Sequence, residues 1–186
     1  MTSQKVNIKL YIALALVFFV FFGCVGAVVI GRLKDFIQYI LYTDKNTKLP
    51  NRQMCDVYIN SLNEKDIGEQ YTCLLIKLNN LVDLNATMGR TAADTVLGDF
   101  GRMIKTLSTN YGFMGYNGPG QFLGLFEHCG KQKAEMFMEL LKSNVEAYNE
   151  KQVETKIKYS VAFVNSTEDK IYDIRTLIRQ AFDRLR

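Results

Sequence analysis

The sequence predicts an α+β domain, palm-like or ferredoxin-like, with an antiparallel-containing central sheet flanked by helices and one transmembrane helix before it. Three observations predict it. Residues 10–31 are 22 consecutive positions without a charge, bounded by Lys9 and Arg32. After them, short apolar runs alternate with longer stretches of helical spacing in the order βααββαβα. Two of those runs, 111–115 and 122–126, flank the turn-forming cluster Tyr116-Asn117-Gly118-Pro119-Gly120-Gln121, which reads as a β-hairpin.

Four segments follow from this reading: a tail over 1–9, a transmembrane helix over 10–31, a helical linker over 32–43 and a domain over 44–186. At about 1.5 Å per residue the apolar run crosses a ~30 Å hydrocarbon core, and it exceeds the usual apolar core of a cleaved signal peptide. Phe21-Phe22-Gly23-Cys24 loosely matches a lipoprotein box, which would instead put the domain outside the cell. Lys5 and Lys9 precede the span, while Arg32, Lys34, Lys45, Lys48 and Arg52 follow it, so the charge bias favours a single-pass protein with a cytoplasmic domain. Leu33, Phe36, Ile37, Ile40 and Leu41 recur at helical spacing. That stripe suits either a dimerising stalk or a helix packed on its own domain or on the bilayer.

Within the domain, 44–50 reads as a turn, with Pro50 suited to the first position of a helix reaching about Asn63. Residues 71–78 are nearly continuous in apolar character, as a central strand requires. Helices are expected over 80–87 and 91–108, broken at Met88-Gly89-Arg90. The hairpin follows, then a helix over 131–149, a strand over 156–164 and an amphipathic helix from 172 to the end. A net charge of +4 with mixed signs and no basic stripe argues against nucleic-acid binding. Cys24, Cys55, Cys73 and Cys129 lack metal or redox spacing and read as reduced thiols, and His128 reads as a loop histidine.

Three motifs in order make the chain resemble the GGDEF family, the diguanylate cyclases that join two GTP molecules into cyclic di-GMP. Asp44-Lys-Asn-Thr47-Lys48-Leu49-Pro50-Asn51-Arg52 resembles D-x-L-T-G-L-P-N-R, with Lys48 at its glycine. Lys77-Leu-Asn79-Asn80-Leu81-Val82-Asp83-Leu84-Asn85, then Gly89 and Asp94, resembles D-x-D-x-F/L-K-x-I-N-D-x-x-G-H-x-x-G-D. Asn117-Gly118-Pro119-Gly120-Gln121-Phe122 stands where the G-G-D/E-E-F signature would, and Ser160-Val161-Ala162 with Ala181 weakly echoes the late motifs.

The resemblance implies that Lys77 and Gly120 replace the two metal-holding carboxylates, Gln121 the next carboxylate, and Val82 a phosphate-contacting lysine; Gly118 and Pro119 complete a degenerate signature. The family's late phosphate contacts map beyond Arg186, and its inhibitory product site maps to Thr109 and Gly112. Magnesium takes oxygen ligands, carboxylates above all, so no metal ligand, no catalytic residue and no cofactor are expected. Asn85 and Asp94 remain at guanine-reading positions. Asn85 equally suits a helix end, and Asp94 a solvated or dipole-favoured position. Lys77 either holds a phosphate by itself or reaches solvent or a carboxylate. The chain is thus expected to be a membrane-anchored, inactive GGDEF-like module for signalling, interaction or nucleotide sensing. Its expected partners are the lipid bilayer, a second copy or another protein, and a guanine nucleotide. The alternative is a divergent cyclase or GTP hydrolase with an altered Mg2+ site.

Overall fold

The computed structural model describes residues 8–62, 67 and 70–185, with side chains from residue 10 onward. The expected tail up to residue 7, the helix end at Asn63 and the terminal Arg186 lie outside the described residues. The chain divides into two compact units, Met1–Leu41 and Tyr42–Arg186.

The first unit is a single helix, α1 (Ile8–Tyr42, 35 residues), which ends at the first residue of the second unit. Its segment Leu10–Tyr42 contains an 18-residue window with a mean hydropathy of 2.9 and is long and apolar enough to cross a membrane. At 1.5 Å per residue the helix is roughly 50 Å long, which exceeds a hydrocarbon core and leaves the 32–42 stretch as a continuous helical extension.

The second unit contains α2 (Arg52–Leu62), β1 (Thr72–Leu78), α3 (Leu81–Met88), α4 (Arg90–Ser108), β2 (Phe113–Gly118), β3 (Gln121–Phe126), α5 (Lys131–Lys151), β4 (Tyr159–Asn165), α6 (Ser166–Asp169) and α7 (Ile174–Leu185). The four strands form one antiparallel sheet in the order β2-β3-β1-β4. Successive strand residues face opposite sides, so each strand feeds two cores. Leu74, Ile76, Leu78, Phe122 and Phe126 pack with Val96, Phe100 and Ile104 of α4 and Phe137 and Leu141 of α5. Cys73, Leu75, Leu123, Leu125 and Val164 pack on the other face with Cys55 of α2 and Leu177 and Ala181 of α7. β1 is therefore buried on both faces, which accounts for its unbroken apolar run. Burial pushes the Cys55 thiol up to about 12 and the Cys73 thiol upward too, so both are inert apolar packing groups.

Three details depart from the sequence expectation. Pro50 lies outside α2: Asn51 is the cap, its Oδ1 accepting the Met54 N–H at 3.1 Å, while Pro50 bridges to Thr43. β4 starts at Tyr159 because asparagine side chains take the backbone before it. Asn149 brackets Ile157, at 2.7 Å to its N–H and 2.9 Å to its C=O, and Asn80 accepts the Lys158 N–H at 3.1 Å while donating to the Lys156 C=O at 2.7 Å. The four-residue α6 was not anticipated; Asn165 caps it, accepting from the N–H groups of Thr167 and Glu168.

Candidate functional site

The site is assembled from two loops and from residues of α3 and α4. The first loop is the turn 44–50, organised by one carboxylate oxygen. Asp44 Oδ1 accepts the N–H of Asn46 at 3.1 Å, the N–H of Thr47 at 2.8 Å and the Thr47 hydroxyl at 2.8 Å. Thr47 is fully buried against α4, where the missing side chain of Gly101 makes room: a Cβ there would lie 2.5 Å from Thr47 Cβ. The turn is thereby held beside the start of α4, and Asn46 Nδ2 comes within 3.4 Å of Asp94 Oδ1.

The hairpin tip supplies the second loop. Gly120 has φ 66, and Pro119 before it fixes φ near about −65°; this sign pattern is that of a type II turn. The register shifts between Tyr116 and Gly118, and the tip is tied inward. The Leu78 N–H donates to the Gly120 C=O at 2.7 Å, and the Gly120 N–H donates to the Tyr116 hydroxyl at 3.3 Å. Burial pushes that hydroxyl's pKa up, so it stays a neutral partner of the tip.

Beneath the tip lies a cleft of about 360 Å³ lined by Leu81, Asn85, Arg90, Ala93, Asp94, Leu97, Tyr116, Pro119 and Gly120. Asn85 and Asp94 thus come together with two tip residues, although α3 and α4 carry them separately. Asn85 is exposed, and its backbone C=O accepts the Gly89 N–H at 3.1 Å as α3 ends. Asp94 also pairs with Arg90, 3.6 Å away. Four of the signature positions, Lys77, Val82, Gly118 and Gln121, lie outside this lining. Lys77 is exposed on β1, opposite Gln121 on β3 and Ser160 on β4. Val82 is 79% exposed on α3, and Gly118, φ 134, opens to free space.

The fold family implies a divalent metal at the strand end and tip, and the donor set there does not fit one. Lys77 brings an ammonium, Gln121 an amide, Gly120 no side chain, and the Asn79 amide donates to Ser160 Oγ at 2.8 Å. Magnesium needs anionic oxygen ligands, and a cation in its shell repels it. Among the described residues no three His, Cys, Asp or Glu side chains cluster to hold a metal.

Sequence reasoning missed Tyr116, Arg90 and Asn46 as neighbours of the cleft. The four-residue spacing of Arg90 and Asp94 was a readable signal. Asn46 was not readable, because only the close passage of the turn along α4 brings it near.

Fold and cleft define an α+β domain of the palm-like class with its candidate site under a hairpin tip. The chain belongs to the GGDEF family: residues 41–186 match the family described as diguanylate cyclase, GGDEF domain. Among solved structures it is similar to the coiled coil and GGDEF domain of DgcB from Caulobacter crescentus in complex with c-di-GMP, at 16% identity over 92% of each chain and TM-score 0.74. The diguanylate cyclase SiaD from Pseudomonas aeruginosa, in complex with its activator SiaC, matches at 19% identity over 96% of this chain and 76% of its own, TM-score 0.58. The S helix-GGDEF-EAL portion of Vibrio cholerae LapD, bound to c-di-GMP, matches at 15% identity over 84% of this chain and 36% of its own, TM-score 0.66. At these identities the likeness is one of fold. No curated protein matches the chain significantly.

Proposed function

We propose that this chain is a membrane-anchored, degenerate GGDEF domain that does not make cyclic di-GMP and acts by contact, as a signalling or nucleotide-sensing module. One observation carries the reading: Lys77 pairs in register with Gln121, next to Gly120, so an ammonium and a bare backbone stand where the family's two metal-holding carboxylates would be, and an amide where its next carboxylate would be. Two-metal phosphoryl chemistry has no anionic ligands to use there. The cleft supports a residual guanine site, because Asn85 and Asp94 line it with Pro119 and Gly120. Helix α1 supports the anchor, and the lysine and arginine bias after residue 31 supports a cytoplasmic domain. The similar folds of a cyclase solved with its activator and of an S helix-GGDEF-EAL structure bound to c-di-GMP are in keeping with a role in contact signalling.

Calorimetric titration of the full chain in detergent with GTP, GDP and cyclic di-GMP, with and without magnesium, tests the reading. Any guanine-nucleotide binding is expected to be unchanged by magnesium. Magnesium-dependent GTP binding contradicts it.

A further inference from the structure

Both carboxylate oxygens of Asp94 are already engaged, and by different parts of the chain. Oδ1 faces Asn46 Nδ2 at 3.4 Å, and Oδ2 pairs with Arg90 Nε at 3.6 Å. Of the two donors only Arg90 lines the cleft; Asn46 reaches Asp94 from the turn that runs beside α4. Asn46 is seated there by Gly98, one helical turn after Asp94. A Cβ at Gly98 would lie 2.9 Å from Asn46 Oδ1, so the bare backbone leaves the space in which the amide lies. The Arg90 side chain is 89% exposed and can leave the cleft without breaking core packing. In the resembling motifs leucine stands at the position of Asn46 and histidine at that of Arg90, so the motifs themselves supply neither the amide nor the guanidinium.

We propose that guanine binding in this cleft is set at Asp94, with Asn46 as the residue that positions its carboxylate and Arg90 as a tethered competitor for it. The inference rests on the reading of the cleft as a residual guanine site and assigns how that site is regulated. Guanine offers a carboxylate two adjacent N–H donors, its ring N1–H and its 2-amino group, and these belong to an N–C–N unit that a guanidinium reproduces. Arg90 holds the same class of donor four residues from Asp94 on one helix, at the high effective concentration of a tethered group. A base that enters against Asp94 must therefore displace it. Asn46 bonds the carboxylate from outside the cleft and competes with no ligand there. Each carboxylate oxygen accepts more than one hydrogen bond, so the amide stays in place while the base takes the remaining lone pairs. Removing the two donors should then move guanine affinity in opposite directions, which a merely structural role would not do.

Titration of the full chain in detergent with guanosine and inosine, followed by ligand-observed NMR, tests this. Both nucleosides are uncharged, so loss of the Arg90 charge does not act through a phosphate, and inosine lacks the 2-amino donor. Exposed ion pairs are weak, so Arg90→Ala should tighten guanosine binding by roughly two- to fivefold. Asn46→Ala should weaken it by roughly two- to tenfold and narrow the preference for guanosine over inosine. Gly98→Ala displaces the Asn46 amide without touching Asp94 and, inside α4, favours the helix. It should weaken guanosine binding as Asn46→Ala does, with a melting temperature no lower than the parent's. Guanosine binding that is unchanged or weaker in Arg90→Ala overturns the competitor, and binding unchanged in both Asn46→Ala and Gly98→Ala overturns the positioning role. If guanosine binds neither the parent nor any variant, the guanine reading of the cleft itself fails, and the inference with it.

Discussion

Lys48 holds a left-handed backbone, φ 59, at the position where the resembling motif carries glycine. An L-residue is disfavoured there by roughly 1–2 kcal/mol, part of which glycine returns through its freer unfolded chain. Lys48→Gly is therefore expected to stabilise the domain by about 0.5–1 kcal/mol in urea unfolding, with the Asp44 turn unchanged. Gly120 presents the opposite case. A Cβ there would lie 3.0 Å from Leu81 Cδ1 and 3.2 Å from the Leu78 C=O, at φ 66. Gly120→Asp, which introduces a carboxylate, should destabilise by about 1–3 kcal/mol, measured the same way. The tip is fitted to a residue without a side chain, so a single carboxylate introduced there does not make a metal site.

At the scale of the element, the Asp173 carboxylate precedes α7 and accepts the Thr176 N–H at 2.8 Å. Hydrogen bonds from Thr176, side chain first and then backbone, hold its carboxyl below the usual value of 3.8. A depressed folded-state pKa contributes stability above the unfolded value, and that contribution is lost as pH falls through the folded one. Asp173→Ala should thus lower stability near neutral pH by about 0.5–2 kcal/mol, and unfolding midpoints of variant and parent should converge as the pH drops below 3.8. Elements of this kind were largely legible. The apolar run of β1 announced a strand covered on both faces, and Gly118-Pro119-Gly120 announced the hairpin, because periodicity and turn chemistry are local properties. The start of β4 was not legible, since it depends on Asn80 and Asn149 reaching the same three-residue loop from distant parts of the chain. Pro50 was placed inside α2 because its fixed φ suits a helix start as well as an extended bridge; the Asn51 side chain decides between them.

For the whole molecule, the order of elements apart from the short α6 was written in the sequence, and the family match covers residues 41–186. The cleft was legible only in part. Asn85 and Asp94 could be named from the resemblance, but their meeting with Tyr116 and Pro119 depends on the hairpin folding over α3 and α4. The central claim is that a GGDEF domain with Lys77, Gly120 and Gln121 at its strand end and tip has kept the fold and given up the reaction. Incubating the purified full chain with GTP and magnesium, and quantifying cyclic di-GMP by chromatography and mass spectrometry, tests this most directly. The account predicts product no higher than in a protein-free control at any magnesium concentration. Cyclic di-GMP that accumulates in proportion to the protein would contradict it.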